Sequence, residues 1–283
     1  MRIILDAMGG DNAPQAPVIG ALQAAKDFGA QITLVGRGEE ILEVLKKHGI
    51  ETLPQGVEIA HADDVVDMHD DPGKVIHKRK NSSMVVGLRM LAEGKGDAFV
   101  SAGSTGALLS GATLIVKRVK GIRRAAIATV LPFDRPCLLL DSGANVNVTS
   151  DYLSQFAFMG AKYMEKIYEV DRPRIGQLNN GTEYNKGNTL QVESFQLLSE
   201  SGLNFVGNVE SKALPFNVCD VLVTDGFTGN IAMKAVEGCG KAVSSIMKRE
   251  YKRRFISALF SMGVIKKIRK SLDYERVGGA MLL

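Results

Sequence analysis

Five stretches place glycine and small polar residues directly behind an apolar run. They are ILDAMGGDNAPQ (4–15), FVSAGSTGALLSG (99–111), LLLDSGANVNV (138–148), IGQLNNGTEYNKGN (175–188) and VCDVLVTDGFTGNIAMK (218–234). Glycine lets backbone close on a ligand, and a following helix turns its partly positive amino end toward an anion. Ordinary helix caps use the same residue types, so one such turn alone carries no function. Five in one chain favour a shared cleft for a phosphate-like ligand at the carboxyl ends of parallel strands.

Familiar nucleotide and hydrolase signatures are absent. The chain has no GxxxxGK[ST], no GxGxxG after its first strand, no HExxH and no GxSxG. The stretch from His61 to Lys80 spaces His61, His69 and His77 eight apart, with five Asp among them. That spacing puts no pair on one helical turn, and Asp71-Pro72-Gly73 interrupts it. A solvated loop is expected here, without metal. Lys78, Arg79 and Lys80 could receive a substrate phosphate or merely lie on the surface.

The elements that must position these groups follow from periodicity. Short apolar runs predict strands over residues 3–5, 32–35, 57–60, 98–100, 125–130, 137–140, 174–178, 204–206 and 218–223. Helical spacing predicts helices over 16–28, 39–47, 82–93, 106–116, 151–168, 189–199 and 230–248. The alternation implies an α/β fold, a largely parallel sheet covered by helices on both faces. One two-lobed domain over 1–283 is expected, its lobe boundary near residues 131–136.

The 283 residues are 45% hydrophobic and 23% charged, as in a soluble globular protein. The first ten residues offer too few apolar positions for a signal-peptide core, and no run is long enough to span a bilayer. Three cysteines without CxxC spacing fit a reduced cytoplasmic protein. The net charge of +4 is uneven: residues 248–270 hold nine Lys/Arg against Glu250 and carry +8, leaving −4 elsewhere. A local basic patch speaks for one anionic partner and against general nucleic-acid binding. Within it, FISALFSMGVI (255–265) is flanked by basic clusters. Phe255, Leu259, Phe260 and Val264 suit insertion at an anionic membrane surface, or packing on a second copy of the chain.

Read in order, LDAMGGDNAP, SSMVVGLRML, SAGSTGALLSGA, LLDSGANV, GTEYNKGN, FVGNVE and DVLVTDGFTGNIAMK resemble the bacterial phosphate acyltransferases of phospholipid synthesis, across essentially the whole chain. The phosphotransacetylases are similar at greater distance, through Ser104-Thr105, Asp141 with Asn145, Thr182 to Gly187, and Asp225 to Asn230. The resemblance implies a three-layer α/β/α fold of the isocitrate and isopropylmalate dehydrogenase type, in two lobes, acting as a homodimer. It implies transfer of a fatty acyl group from acyl carrier protein to inorganic phosphate, without cofactor or metal. The acyl phosphate would pass to a membrane glycerol-3-phosphate acyltransferase, from a cytoplasmic enzyme attached peripherally to the inner face of the membrane. Departures from the family pattern fall at Ser104, Asn147 and Tyr184, and relatives continue past Leu283.

Phosphate is itself a nucleophile, so direct attack on the thioester needs no activated Ser or Cys. The catalytic candidates are Asn145, Lys186, Asp225 and Asn230. Either Asn145 or Asn230 would donate to the oxyanion, Lys186 supplies the cation, and Asp225 orients donors, manages a proton or simply caps the next helix. Ser104, Thr105, Gly106, Thr182, Thr228 and Gly229 are the candidates for binding phosphate and thioester. Two other readings remain: an NAD-dependent dehydrogenase on the same fold, and a non-catalytic adaptor joining acyl carrier protein to the membrane.

Overall fold

The computed structural model describes residues 1–131, 133–253 and 279–283. They group into two compact units, Met1–Lys120 and Gly121–Leu282. The division thus falls before residues 131–136, the first of which, Leu131, ends a strand of the second unit.

The first unit contains β1 (Arg2–Asp6), α1 (Gln15–Phe28), β2 (Gln31–Gly36), α2 (Gly38–Lys47), β3 (Val57–His61), α3 (Pro72–Lys78), α4 (Ser83–Ala92), β4 (Ala98–Val100) and α5 (Thr105–Gly111). Its four strands are all parallel, in the order β3-β2-β1-β4. Alternating side chains separate the two faces. Ile32 and Leu34 pack with Val18, Ala21, Ile41 and Val44 of α1 and α2, whereas Ile4 and Val35 pack with Val86 and Met90 of α4. The unit is therefore a sheet between two helical layers.

The His61–Lys80 stretch, expected to be a solvated loop, contains α3. Asp71 caps it by accepting from the Gly73 N–H at 2.9 Å, with Pro72 in the first turn. Arg79 binds Asp64 and Asp70, each at 3.1 Å, so the aspartates serve the fold. Among the described residues, no group of three or more His, Cys, Asp or Glu has metal-holding geometry.

The second unit contains β5 (Ala126–Leu131), β6 (Cys137–Leu140), α6 (Ser150–Ile167), β7 (Ile175–Asn179), α7 (Thr189–Glu200), β8 (Phe205–Glu210), β9 (Val221–Val223), α8 (Gly226–Arg253) and β10 (Gly279–Leu282). Its strand order is β10-β5-β6-β9-β7-β8. The four strands β6, β9, β7 and β8 are parallel, while β5 and β10 run antiparallel at one side. Central β6 reads Cys-Leu-Leu-Leu because both of its faces are covered. Leu138 and Leu140 meet Leu153, Phe156 and Ala157 of α6, and Leu139 and Cys137 meet Leu222, Leu214 and the start of α8. Fully burying a side chain such as Phe156 contributes about 1.5–3 kcal/mol. Arg174 ties β7 to β9, its guanidinium gripping Asp220 at 2.8 and 3.0 Å.

This order matters for the site. It sets the carboxyl ends of β6, β9 and β7 side by side, with three of the five polar turns following them.

Candidate active site

The centre of the second unit's strand ends is Asp141, directly after β6 and fully buried. Its Oδ1 accepts from the N–H groups of Ile127, Gly143 and Ala144 at 3.0–3.1 Å. Its Oδ2 accepts from the Asn145 backbone at 2.7 Å and the Asn145 side chain at 2.9 Å. Five donors compensate the cost of burying a carboxylate and lock the loop that follows β6.

The head of α8 is pressed onto that loop. Gly226 donates to the Asn145 carbonyl at 2.8 Å, and a Cβ at Gly226 would lie 2.8 Å from Asp141 Oδ2. A Cβ at Gly229 would overlap the Asp141 carbonyl oxygen. The helix therefore begins four residues earlier than its spacing predicts, with Thr228, Gly229 and Asn230 inside its first turns. Three of its first four amides, including that of Gly226, are occupied. Thr228 N–H donates to Asp225 Oδ1 at 2.8 Å, and Gly229 N–H to the Asp225 carbonyl at 2.9 Å. Asp225, almost fully buried, is thus the cap of α8. An anion at this end meets side chains and the helix dipole more than free amides.

The two asparagines differ. Asn145 spends both amide hydrogens, on the Ala125 carbonyl at 2.7 Å and on Asp141. It positions the loop. Asn230 donates to the Ser142 carbonyl at 3.1 Å, which uses one of its two hydrogens, and Thr228 beside it is exposed.

The loop after β7 carries two further candidates. Thr182 and Lys186 are exposed in it, and the Lys186 ammonium has no ion pair among the described residues. The loop is held from below. Asn179 donates to the Lys186 carbonyl at 3.0 Å, and Asn208 to the Glu183 carbonyl at 2.7 Å. Buried Gln177 donates to the Gln191 carbonyl and to Asn208 Oδ1. Gly187, at φ +91°, closes the loop where a Cβ would stand 2.6 Å from Gln191.

The candidates of the first unit are placed differently. Ser104 caps α5, accepting from Ala107 N–H at 3.4 Å. Gly106 is required where α5 meets Pro72, since a Cβ there would lie 2.9 Å from that ring. Thr105 is exposed. Phe255, Leu259, Phe260 and Val264 lie outside the described residues.

Sequence reasoning left Asp141, Gln177 and Asn208 out of the site, because all three act on loops. The available signal was a charged residue ending the apolar run LLLD.

Strand-end loops braced by a buried carboxylate on a three-layer α/β/α sheet define a protein with the fold of the phosphotransacetylases. A Staphylococcus aureus phosphotransacetylase superposes with a TM-score of 0.63 at 19% identity, over 85% of this chain and 82% of that one. The chain belongs to the family described as fatty acid synthesis protein, whose model matches residues 1–283, and is an acyltransferase of lipid biosynthesis. The phosphate acyltransferase of Thermoanaerobacter pseudethanolicus is 42% identical over 100% of this chain and 85% of its own length. That of Bacillus licheniformis is 43% identical over 100% of this chain and 86% of its own.

Proposed function

We propose that the chain moves a fatty acyl group from acyl carrier protein to inorganic phosphate, giving acyl phosphate for phosphatidic acid synthesis. The observation that carries this reading is the braced head of α8. It puts exposed Thr228 and Asn230, which spends one amide hydrogen on Ser142, in the turns that follow β9, next in the sheet to the strand that bears the Lys186 loop.

Lys186 and Thr228 hold hydrogen phosphate, with the dipole of α8 adding to the attraction. A phosphate oxygen attacks the thioester carbon, forming C–O, and the tetrahedral oxyanion takes the free N–H of Asn230. Collapse breaks C–S, and the proton of hydrogen phosphate ends on the departing thiolate. Holding both reactants supplies several kcal/mol of the barrier, and one oxyanion donor is worth roughly 100- to 1000-fold in rate. Asp225 and Asn145 act by positioning. Relatives named phosphate acyltransferase support the acceptor, and the fatty acid synthesis family supports the acyl class.

The remaining assignments belong to the same proposal. The enzyme works as a homodimer of two-lobed chains in the cytoplasm. Residues 248–270 attract anionic membrane, where a glycerol-3-phosphate acyltransferase consumes the product. No helix among the described residues is long and apolar enough to cross a membrane.

Trapping acyl phosphate with hydroxylamine tests the reading. Wild-type protein should form hydroxamate from acyl-[acyl carrier protein] only when phosphate is present, and Lys186→Ala and Asn230→Ala should each be slower by roughly 100-fold. Phosphate-independent product, or full rates in both variants, would overturn it.

A further inference from the structure

We infer that a groove along α8 holds the hydrocarbon chain of the acyl group. The inference rests on the acyl-transfer reading above. The groove lies wholly within the second unit and has a volume of about 1110 Å³. At one end it is lined by Thr228 and Asn188, which border the proposed phosphate site. From there its character changes. Ile231, Ala235, Cys239 and Val243 recur every four residues and so line it as one stripe of α8. Leu214 of the 3₁₀ turn Ser211–Phe216 also lines it.

Three features select the occupant. Most of the polar lining, Asn179, Asn180, Asn188, Gln191 and Thr228, belongs to the segment after β7 and the head of α8, with Ser211 and Glu237 the exceptions, which matches an amphiphile with one polar end. Among the residues lining the groove, Glu237 alone is charged, and Lys241 holds it at 2.6 Å. A peptide or sugar would therefore leave most of its polar groups without partners. The length agrees as well. From Thr228 to Val243 the helix rises about 22 Å, at 1.5 Å per residue. A chain of about 16 carbons spans about 18 Å at the ~1.2 Å per bond of an extended chain. The small side chains of Ala235 and Cys239 leave width for the methylenes in the middle of the stripe. Each further methylene removed from water should tighten binding about fourfold until the groove is full.

Cys239 gives a readout independent of turnover. It is the exposed cysteine of the three. Cys137 and Cys219 are both buried, 4.0 Å apart, which keeps the reagent from either, and that hydrogen bond together with burial also pushes the Cys137 thiol well up. Alkylation of the full chain by N-ethylmaleimide should slow at least ~10-fold with hexadecylphosphonate below its micelle concentration, and should be unaffected by methylphosphonate. Equal rates with both would overturn the assignment. So would protection that rises with protein concentration in the absence of phosphonate, which would give the groove to a second copy of the chain.

Ala235→Trp supplies the second arm. The ratio of kcat/KM for a 16-carbon donor to that for a 4-carbon donor should fall about 30-fold. An unchanged ratio in a folded variant would overturn the proposal. Failure of the acyl-transfer reading looks different, because wild-type protein would then form no acyl phosphate from donors of either length.

Discussion

Both units end a parallel strand in a buried aspartate, and the two aspartates do unlike things. Asp6, the last residue of β1, accepts from Met8 N–H at 3.2 Å and from the Ser101 hydroxyl at 2.7 Å, and Ser101 in turn accepts from Gly103 N–H. That turn is knitted to its neighbour, and its polar groups mostly satisfy one another. Asp141 takes five donors and binds none of the groups proposed to meet substrate. By absorbing the loop's own needs, it leaves Asn230 a spare N–H and Thr228 an exposed hydroxyl. Under the proposed function, a strand-end turn serves as a site when a buried charge satisfies the backbone around it, freeing the outer side chains for something else.

The sharpest way to break this comparison is to remove both carboxylates in turn. Asp141→Ala strands five donors and should cost roughly 3–5 kcal/mol by urea denaturation, whereas Asp6→Ala should cost about 1–3 kcal/mol. Equal losses would deny Asp141 its special place. Next come the asparagines. Asn230→Ala should lower kcat roughly 100- to 1000-fold with little change in stability. Asn145→Ala should show its main effect in the urea midpoint, about 1–3 kcal/mol. A reversed pattern would exchange their roles.

The ion pair Arg174–Asp220 offers a smaller effect with a defined sign. Burial pushes the Asp220 carboxyl up, but the hydrogen bonds and charge of Arg174 outweigh it and leave its pKa lowered. A depressed folded pKa stabilises above the unfolded value of about 3.9, and that contribution fades as pH falls through the folded value. Asp220→Asn should therefore cost about 1–2 kcal/mol at pH 7 and progressively less below pH ~4. A difference that stays constant down to pH ~2 would remove the pair from the acid response. The smallest expected loss is that of the α5 cap: Ser104→Ala should cost about 1 kcal/mol. A larger fall in phosphate-dependent turnover than in stability would give Ser104 a ligand role besides.

Much of the fold was legible because buried strands are written as apolar runs. Residues 98–100 and 137–140 are strands with the expected bounds. The misses have physical causes. α3 is hidden by the aspartates and histidines that precede it, although Asp71-Pro72 is a cap followed by a first-turn proline. The start of α8 was set too late because Gly226 and Gly229 argue against helix, yet only glycine fits against the Asp141 loop. β10 exists through its antiparallel pairing with β5 and has no strong local signal. In the site, residue types were readable and hydrogen-bond allocation was not. Nothing in the letters says that Asn145 spends both hydrogens and Asn230 one: each meets one backbone carbonyl, and Asp141 Oδ2 takes the second hydrogen of Asn145.

The contact between Gly229 and the Asp141 carbonyl also fixes the angular phase of α8. A helix clamped at its head behaves like an indexed shaft, on which each added or lost residue rotates everything downstream by about 100°. A single residue inserted between Asn230 and Ile231 would leave the strand ends untouched while swinging Ala235, Cys239 and Val243 together away from the groove. Length changes in that segment should thus separate chemistry at the strand ends from recognition of what lies along the helix.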